Sequence, residues 1–387
     1  MKLEHNLRLL RTEAVITSAL IAMPIMNPFF QSIGMNQGQI GLSQALFTLA
    51  LFMLNVPTGW LADRFSRKLS NAIGDFIAVI GLLLYAFAAN FVQVVSAEIL
   101  LGIGLAFTQG ADVGLLRAYC KKLGRDYRKE SSLIAFLKPF IQVVAMIAGG
   151  FIGAYDYRLA IGLSAVPYLI GGILSLCVTE VGERRQPSNV HPIKDMWRIT
   201  TFALHGHKDL AWAVLAAATA REFTHAIIWV LTPLLLLAGV PVVIVGFAWA
   251  LNSLAVSMGA LLSRPFASRW SEVKLFAVPA IAGLLAMAIL SLHVSLWTIG
   301  LYAIFGLIRG WYEAVIAPIV QHHTPEDVQS TVFSVSSSLS QLLYIVAVVA
   351  INYAGNFGAQ LTMAANALLF APLIAVITFR LARLGKK

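Results

Sequence analysis

The chain has 387 residues, of which 59% are hydrophobic and 12% are charged, and its mean hydropathy is +0.79. Soluble globular proteins are nearer half apolar and a quarter charged, so the composition excludes an ordinary soluble enzyme or binding domain and indicates an integral membrane protein. The formal net charge of +10 does not indicate nucleic acid binding, because the positive residues fall in short loops between apolar runs. Two cysteines, Cys120 and Cys177, do not form the pattern of a disulfide framework.

Twelve segments are apolar enough and long enough, at about 20 residues, to cross a bilayer as helices. The first follows Arg8 and Arg11 and lacks a small-residue cleavage site, so we expect a span and not a cleaved signal peptide. The sequence shows no alternating ten-residue pattern of a β-barrel. It therefore predicts an all-α polytopic membrane protein with 12 transmembrane helices. In chain order the predicted spans are 11–33, 41–62, 69–89, 93–117, 132–154, 158–180, 208–238, 242–263, 273–292, 295–320, 331–353 and 358–381.

The distribution of Lys and Arg predicts the orientation. The odd-numbered connections between spans contain one positive residue, Arg158, whereas almost all the others lie in the termini and the even-numbered connections. By the positive-inside rule, both termini and the even-numbered connections are predicted to be cytoplasmic, in a bacterial-type inner membrane. The connection HHTPEDVQ has no Lys or Arg, so its placement depends on span counting alone.

The longest polar stretch, 181–207, lies almost at the middle of the chain. It predicts a cytoplasmic linker between two six-helix bundles, 1–180 and 208–387. The halves match when the sequence is shifted by 205 residues, which also lays ADRFSRK over ASRWSEV. Parallel repeats of this kind predict two bundles related by an axis along the membrane normal. The residues that match in this register include Pro28 with Pro233, Gly34 with Gly239, and Gly41 with Gly246.

The stretch GWLADRFSRK lies between the second and third spans. Together with the twelve spans, the linker and the parallel halves, it resembles the major facilitator superfamily, whose motif at this place is Gly-x-Leu-Ala-Asp-Arg-x-Gly-Arg-Lys. Ser66 departs from the family's Gly. The resemblance implies two pseudo-symmetric six-helix bundles, alternating access and a monomer. The matching residues are Gly59, Leu61, Ala62, Asp63, Arg64, Arg67 and Lys68.

The same resemblance implies a cytoplasmic gating role for Gly59, Asp63, Arg64, Arg67 and Lys68. Asp63 is expected to dock across the bundle interface, near the start of the eleventh span, and to stabilise the outward-facing state. A helix N-terminus is a suitable partner for that carboxylate. The second half has Ser268 at the matching position, so Asp63→Asn is expected to cripple transport and Ser268→Ala to have a mild effect.

Two other motifs of the resembled family are weak in this chain. The family's fourth helix often carries an Arg followed by a Gly one turn on, whereas this chain has Glu98 followed by Gly102. The fifth helix has Gly149 and Gly150 but lacks the Gly-Pro of the antiporter signature Gly-Pro-x-x-Gly-Gly. The direction of transport therefore stays open.

Ionisable residues inside spans cost about 2.5–3.5 kcal/mol each on the insertion scale, and they tend to face the bundle interior. In the resembled family, helices 1, 4, 7 and 10 line the central cavity, and three of these helices carry charges at depth here. Glu13 and Asp75 are more often structural charges, and His225 more often a hydrogen-bond partner in the core. The residues predicted to bind substrate or couple transport are Glu98, Asp112, Arg221, Glu222, Arg309 and Glu313.

The roles of these charges follow from their chemistry. Asp112, Glu222 and Glu313 suit a group that takes up a proton on one side and releases it on the other as access alternates. The planar donors of arginines 221 and 309 suit an anionic group on a substrate. Alternatively Arg309 and Glu313, at i and i+4, form a static ion pair. Glu98 and Asp112 are fourteen residues apart on the fourth span, close to four helical turns, so we expect them to share one face of their helix.

Polar and aromatic residues on or near the same helices predict the cavity lining: Asn27, Gln31, Gln109, Trp311 and Tyr312. Charges of both signs with aromatic rings suit an amphiphilic or zwitterionic organic solute better than a metal ion. The paired histidines of QHHTP, His322 and His323, lie in a loop, where a surface position is favoured over metal binding. We therefore predict no metal site.

The sequence carries no Walker loop, nucleophile elbow or zinc signature, so we expect neither an ATP-driven pump nor an enzyme. It predicts a secondary active transporter that works by alternating access and is coupled to protons, with no cofactor besides the proton gradient. The expected partners are a small organic solute, protons and the lipid bilayer, but no nucleic acid. Export of drug-like or metabolite compounds is favoured over proton-coupled uptake or exchange of an anionic or zwitterionic metabolite. A receptor that binds without transport is the second alternative.

Overall fold

The computed structural model describes residues 2–181, 208–296, 298–324 and 329–384. The regular elements of these residues are helices, as the long apolar runs predict. Sixteen α-helices are found in this part of the chain: α1 (Lys2–Ile16), α2 (Met26–Ser32), α3 (Gln37–Arg64), α4 (Arg67–Phe87), α5 (Phe91–Thr108), α6 (Ala111–Leu123), α7 (Tyr127–Tyr155), α8 (Tyr157–Leu163), α9 (Ala165–Cys177), α10 (Lys208–His225), α11 (Leu231–Leu237), α12 (Val242–Ala267), α13 (Glu272–Leu292), α14 (Ala303–His322), α15 (Gln329–Ala354) and α16 (Ala359–Leu384).

Eleven helical segments of the described residues are long and apolar enough to cross a membrane, which makes the chain a multi-pass membrane protein. The first predicted span, 11–33, is not one continuous helix. It is divided between the end of α1 and the whole of α2, with a short 3₁₀ segment, Met23–Ile25, before α2. Pro24 and Pro28 lie at this break, and proline interrupts the hydrogen-bond ladder of a helix.

The 205-residue repeat is present in the backbone. Helix α2 shifted by 205 residues gives the bounds of α11, and α4 shifted by 205 gives the bounds of α13. The 3₁₀ segment Met23–Ile25 likewise corresponds to Ile228–Val230. Gly34 and Gly239, which follow α2 and α11, have φ of 83° and 80°. The sparse identities in the sequence therefore mark a repeat with the same local geometry at both places.

The described residues divide into two compact units by their contacts. The first unit comprises the described residues of Met1–Met35, Leu46–Asn189 and Val242–Ala250. The second comprises those of Asn36–Ala45, Val190–Pro241 and Leu251–Lys387. Each unit thus contains most of one predicted half of the chain plus the first turns of a helix from the other half. The predicted linker, 181–207, lies outside the described residues apart from Val181.

A glycine lies at the packing contact of each of these first helical turns with the rest of its unit. A Cβ atom on Gly41 would lie 2.6 Å from both the carbonyl oxygen of Val348 and the Cβ of Asn352, within the second unit. Within the first unit, a Cβ on Gly246 would collide with the carbonyl oxygen of Met146. The two glycines are 205 residues apart, so the close helix crossing is itself part of the repeat.

The fourth predicted span is broken. Helix α5 ends at Thr108 and α6 begins at Ala111, and the intervening Gly110 has φ of 86°, a backbone conformation that glycine adopts without a steric penalty. The inference that Glu98 and Asp112 share one helix face was wrong in its premise, because no continuous helix joins them. Asp112 instead lies in the first turn of α6, where its Oδ1 accepts the amide hydrogen of Val113 at 2.6 Å.

Candidate functional site

A cavity of about 390 Å³ lies within the second unit, between α10, α14 and α15. We call it the C-terminal cavity. Three of the residues predicted to bind substrate or couple transport line it, namely Arg221, Arg309 and Glu313, and so does Tyr312, which was predicted to line the cavity. The full lining is Ala217, Ala220, Arg221, Thr224, His225, Arg309, Tyr312, Glu313, Ile316, Ala317, Val320, Ser336, Ser337 and Ser340.

Arg221 and Glu222 have different environments. Successive residues of a helix point about 100° apart. The side chain of Arg221 is 63% exposed and lines the cavity, while that of Glu222 is 3% exposed and does not. Oε1 of Glu222 lies 3.6 Å from Nε of Arg221, and its Oε2 lies 3.1 Å from Nδ1 of His225. Glu222 therefore lies outside the cavity lining and contacts two of the lining residues, Arg221 and His225.

Arg309 and Glu313 form the ion pair that their i and i+4 spacing allows. Nε of Arg309 lies 3.1 Å from Oε1 of Glu313. Both side chains are more than a third exposed and both line the cavity, so their remaining donors and acceptors can reach a solute. An ion pair this exposed contributes on the order of 1 kcal/mol or less to stability.

Hydroxyl groups supply the neutral polar part of the lining, and sequence reasoning missed them. Ser336, Ser337 and Ser340 come from α15, and Thr224 comes from α10. Within the described residues the Thr224 hydroxyl is buried and has no hydrogen-bond partner. A buried hydroxyl without a hydrogen-bond partner destabilises the folded protein. A solute in the cavity can supply that partner. The serine-rich run SVSSSLS (334–340) is the sequence signal that could have indicated this wall.

Aromatic residues hold the cavity wall in place. Tyr312 donates its hydroxyl hydrogen to the carbonyl oxygen of Phe276 at 2.7 Å. The ring of His225 stacks on Tyr344, with centroids 4.7 Å apart. Trp311, which the sequence predicted to line the cavity, does not lie among the lining residues. Its indole donates to the carbonyl oxygen of Leu275 at 3.0 Å and packs against Phe266 and Trp270.

A second cavity, of about 170 Å³, lies within the first unit, and we call it the N-terminal pocket. Glu13 of α1, Asp112 of α6 and Lys138 of α7 line it together. Asp112 thus shares a cavity with Glu13. The sequence had favoured a structural role for Glu13. The other lining residues are Leu10, Ala14, Val113, Leu116, Tyr127, Ser131, Ile134 and Ala135.

The remaining predicted residues lie elsewhere. Glu98 is buried on α5. Asn27 is buried on α2 and accepts a hydrogen bond from Nε2 of Gln31 at 3.0 Å, so these two amides bind each other. Gln109 is exposed at the break between α5 and α6. None of these four side chains lines either of the two cavities.

The gating motif forms the turn between α3 and α4. Ser66 is the N-cap of α4, and its Oγ accepts the amide hydrogen of Leu69 at 3.1 Å. Arg67 donates to the carbonyl oxygen of Gly114 at 3.4 Å, and Nζ of Lys68 donates to the carbonyl oxygen of Val178 at 3.0 Å. The motif thus links α4 to α6 and to the end of α9.

The other motif residues have separate surroundings. The guanidinium of Arg64 lies over the ring of Trp60, 5.1 Å from its centroid. A Cβ atom on Gly59 would have no heavy-atom neighbour within 4 Å among the described residues. The side chain of Asp63 lies outside the described residues, so the expected docking of its carboxylate stays a prediction.

Comparison with known proteins gives the family. The family model described as Major Facilitator Superfamily matches residues 14–348. An uncharacterized MFS-type transporter of Methanocaldococcus jannaschii is 28% identical over 152 residues, which are 39% of this chain and 33% of that protein's length. The chain thus matches about a third of that relative.

Solved transporters share the fold. The nucleoside transporter NupG has a TM-score of 0.79 at 15% identity, covering 100% of both chains. A bacterial homolog to the human lysosomal transporter Spinster has a TM-score of 0.77 at 15% identity, covering 98% of this chain and 96% of that one. A D-xylose-proton symporter has a TM-score of 0.76 at 10% identity, with coverages of 96% and 97%.

These matches confirm the predicted all-α transporter fold. At such low identities the solved structures show the fold alone, whereas the family model covers well over half of the chain. The chain belongs to the Major Facilitator Superfamily and is a transporter, not an enzyme.

Proposed function

We propose that the chain is a proton-coupled secondary transporter of a small organic solute that carries an anionic group. It works by alternating access in an inner membrane, with both termini in the cytoplasm. The observation that carries the proposal is the pair of guanidinium groups, from Arg221 and Arg309, that line the C-terminal cavity from α10 and α14. Both guanidinium groups line the cavity, whereas Glu313 is the acid of the lining, and the planar donors of an arginine suit a carboxylate or phosphate group.

The rest of the cavity suits an organic molecule. Its volume of about 390 Å³ falls within the range of small-molecule sites. Thr224 and the α15 serines offer hydroxyl donors and acceptors, while Ile316 and Val320 offer an apolar side. By their names, the structural neighbours include transporters of a nucleoside and of D-xylose with protons, which is consistent with an organic solute and with coupling.

The N-terminal pocket is the proposed coupling site. Glu13 and Asp112 place two acids around one small cavity, and Lys138 lines the same cavity. Acids inside a membrane span are functional candidates because ionised side chains there are costly. A proton taken up by this group on one side and released on the other would energise movement of the solute.

The test is a ligand-binding screen followed by a transport assay. Purified protein is screened by thermal shift against pairs of solutes that differ only in a carboxylate or phosphate group. Hits are then tested for counterflow in proteoliposomes, with and without an imposed pH gradient. We expect the anionic member of a pair to stabilise the protein more, and its affinity to fall at least tenfold in Arg221→Gln and in Arg309→Gln.

Arg264→Gln is the matched control, because Arg264 is exposed on α12 and does not line the cavity. Equal binding of the neutral and anionic members, or wild-type affinity in both cavity variants, would contradict the anionic solute. Binding without counterflow of any solute would support a receptor and contradict transport.

A further inference from the structure

A second cluster of chemically active side chains lies outside both cavities, at the junction of α13 and α14. Glu272 lies in the first turn of α13, His322 is the last residue of α14, and His323 follows it. Nδ1 of His322 lies 2.9 Å from Oε1 of Glu272, and Nε2 of His323 lies 2.9 Å from Oε2. One potential ligand atom from each residue lies within 4.8 Å of the others.

We propose that these three side chains form a binding site for a divalent transition-metal ion of the Zn²⁺ class. Two imidazoles and a carboxylate are a ligand set that zinc uses in proteins, with water in the open position. Metal–ligand distances of about 2.1 Å at tetrahedral angles separate neighbouring ligand atoms by about 3.4 Å. The two observed nitrogen–oxygen distances of 2.9 Å, each to a different oxygen of Glu272, are about half an ångström shorter than this separation.

The local backbone explains how two consecutive histidines reach one carboxylate. His322 is helical, whereas His323 has left the helix, with φ of −92° and ψ of 2°. The two rings lie with centroids 4.9 Å apart, and they present different nitrogens to Glu272. Thr324 fixes the end of α14, because its hydroxyl donates to the carbonyl oxygen of Val320 at 2.6 Å.

The internal repeat shows that this chemistry is specific to the second half. The residue 205 positions before Glu272 is Arg67, and the one 205 positions before His322 is Arg117. The first half thus has two guanidinium groups where the second has a carboxylate and an imidazole. Arg67 and Glu272 are the first residues of two helices of 21 residues each, α4 and α13, so the helix bounds correspond and the side chains differ.

Exposure makes the site accessible. The side chain of His322 is 75% exposed, while those of Glu272 and His323 are 30% and 18% exposed. An ion can enter from solvent and keep water as a further ligand. Imidazole and carboxylate ligands do not exclude Cu²⁺ or Ni²⁺, which such sites bind comparably or more tightly than lighter divalent ions.

The test uses the full-length protein, purified in detergent through a tag free of histidine and treated with a chelator. Zinc binding is measured by competition with a chromophoric chelator, and thermal unfolding is followed with and without zinc. We expect one ion per chain and a zinc-dependent rise in unfolding temperature. Glu272→Gln, His322→Gln and His323→Gln should each weaken zinc binding at least tenfold and reduce or abolish the rise.

His293→Gln is the matched control, since His293 is an exposed histidine just past the opposite end of α13. Unfolding temperatures without zinc show whether each variant is folded, so loss of binding cannot be mistaken for loss of structure. No zinc binding by the wild type, or equal affinity in the wild type and the three ligand variants, would overturn the proposal and leave the cluster as a pair of His–Glu contacts.

Discussion

Ser66 donates its hydroxyl hydrogen to Oε2 of Glu180, and the backbone amide of Lys68 donates to the same oxygen at 3.1 Å. This carboxylate therefore ties the start of α4 to the chain that follows α9. The φ of Ser66 is −169°, an extended conformation that any residue adopts. The turn thus does not require the glycine that the family motif prefers, and serine adds two hydrogen bonds that glycine lacks.

We expect Ser66→Ala to lower the thermal stability of the protein, because it removes an N-cap worth about 1 kcal/mol as well as the contact with Glu180. Ser271→Ala is the matched control: Ser271 is the N-cap of α13, and its side chain makes no capping hydrogen bond in the described part of the chain. The measurement is the unfolding temperature in detergent. Equal effects of the two substitutions would show that the Ser66 contacts contribute nothing.

Thr224→Val is expected to leave the fold intact and weaken solute binding. The buried hydroxyl of Thr224 is unpaired in the described structure, and valine keeps its shape. Removing such a group can stabilise a protein by about 1 kcal/mol, whereas a solute that pairs with the hydroxyl loses a hydrogen bond.

Thr219→Val separates the two effects. Thr219 lies on the same helix, and its hydroxyl is also buried without a partner among the described residues, but it does not line the cavity. This control should match Thr224→Val in unfolding temperature and match the wild type in solute affinity. Weakened binding in both variants would mean that α10 responds as a whole and that Thr224 does not contact the solute.

A double-mutant cycle on Arg309 and Glu313 distinguishes a structural pair from a solute site. Their ion pair is exposed, so we expect Arg309→Gln and Glu313→Gln to change stability by less than about 1 kcal/mol each. Arg309→Gln should reduce affinity for an anionic solute, and Glu313→Gln should not reduce it. Large stability losses in both single variants that do not add in the double variant would instead favour the static pair.

Asp112→Asn is expected to abolish solute flux driven by a pH gradient while leaving the protein folded. The hydrogen bond that Asp112 accepts comes from the adjacent amide of Val113, and an asparagine oxygen can accept the same bond. Flux is measured in proteoliposomes with an imposed pH gradient. Asp209→Asn, at an exposed site in the first turn of α10, is the control. Undiminished pH-driven flux in Asp112→Asn would remove this residue from the coupling site.

Gly41→Ala is expected to impair folding or transport, because the new methyl group would lie 2.6 Å from the backbone oxygen of Val348. Gly59→Ala, in the same helix, meets no described neighbour and should raise stability by up to about 1 kcal/mol through helix propensity. Expression level and unfolding temperature report the difference. Similar behaviour of the two variants would show that α3 can shift enough to accept the methyl group at Gly41.

The apolar composition of the sequence predicted the positions of the helices, but the sequence did not predict where those helices break. Long apolar runs predicted the helices, and a few shared glycines and prolines predicted the repeat. The break at Gly110 was missed because a single glycine in an apolar run does not reveal a positive φ. The contact of Glu180 with Ser66 and the cavity position of Ser336 were not predicted. Both depend on neighbours that are distant in the sequence.

The repeat register has a practical use. Because α2 and α11, and likewise α4 and α13, begin and end at positions 205 residues apart, a substitution in either helix of a pair has a counterpart in the same backbone setting elsewhere in the same polypeptide. Two single variants at matched positions, such as Gly41 and Gly246, can therefore be compared within one polypeptide under the same lipid, detergent and expression conditions. Differences within such a pair then report how the two halves of the chain differ in function.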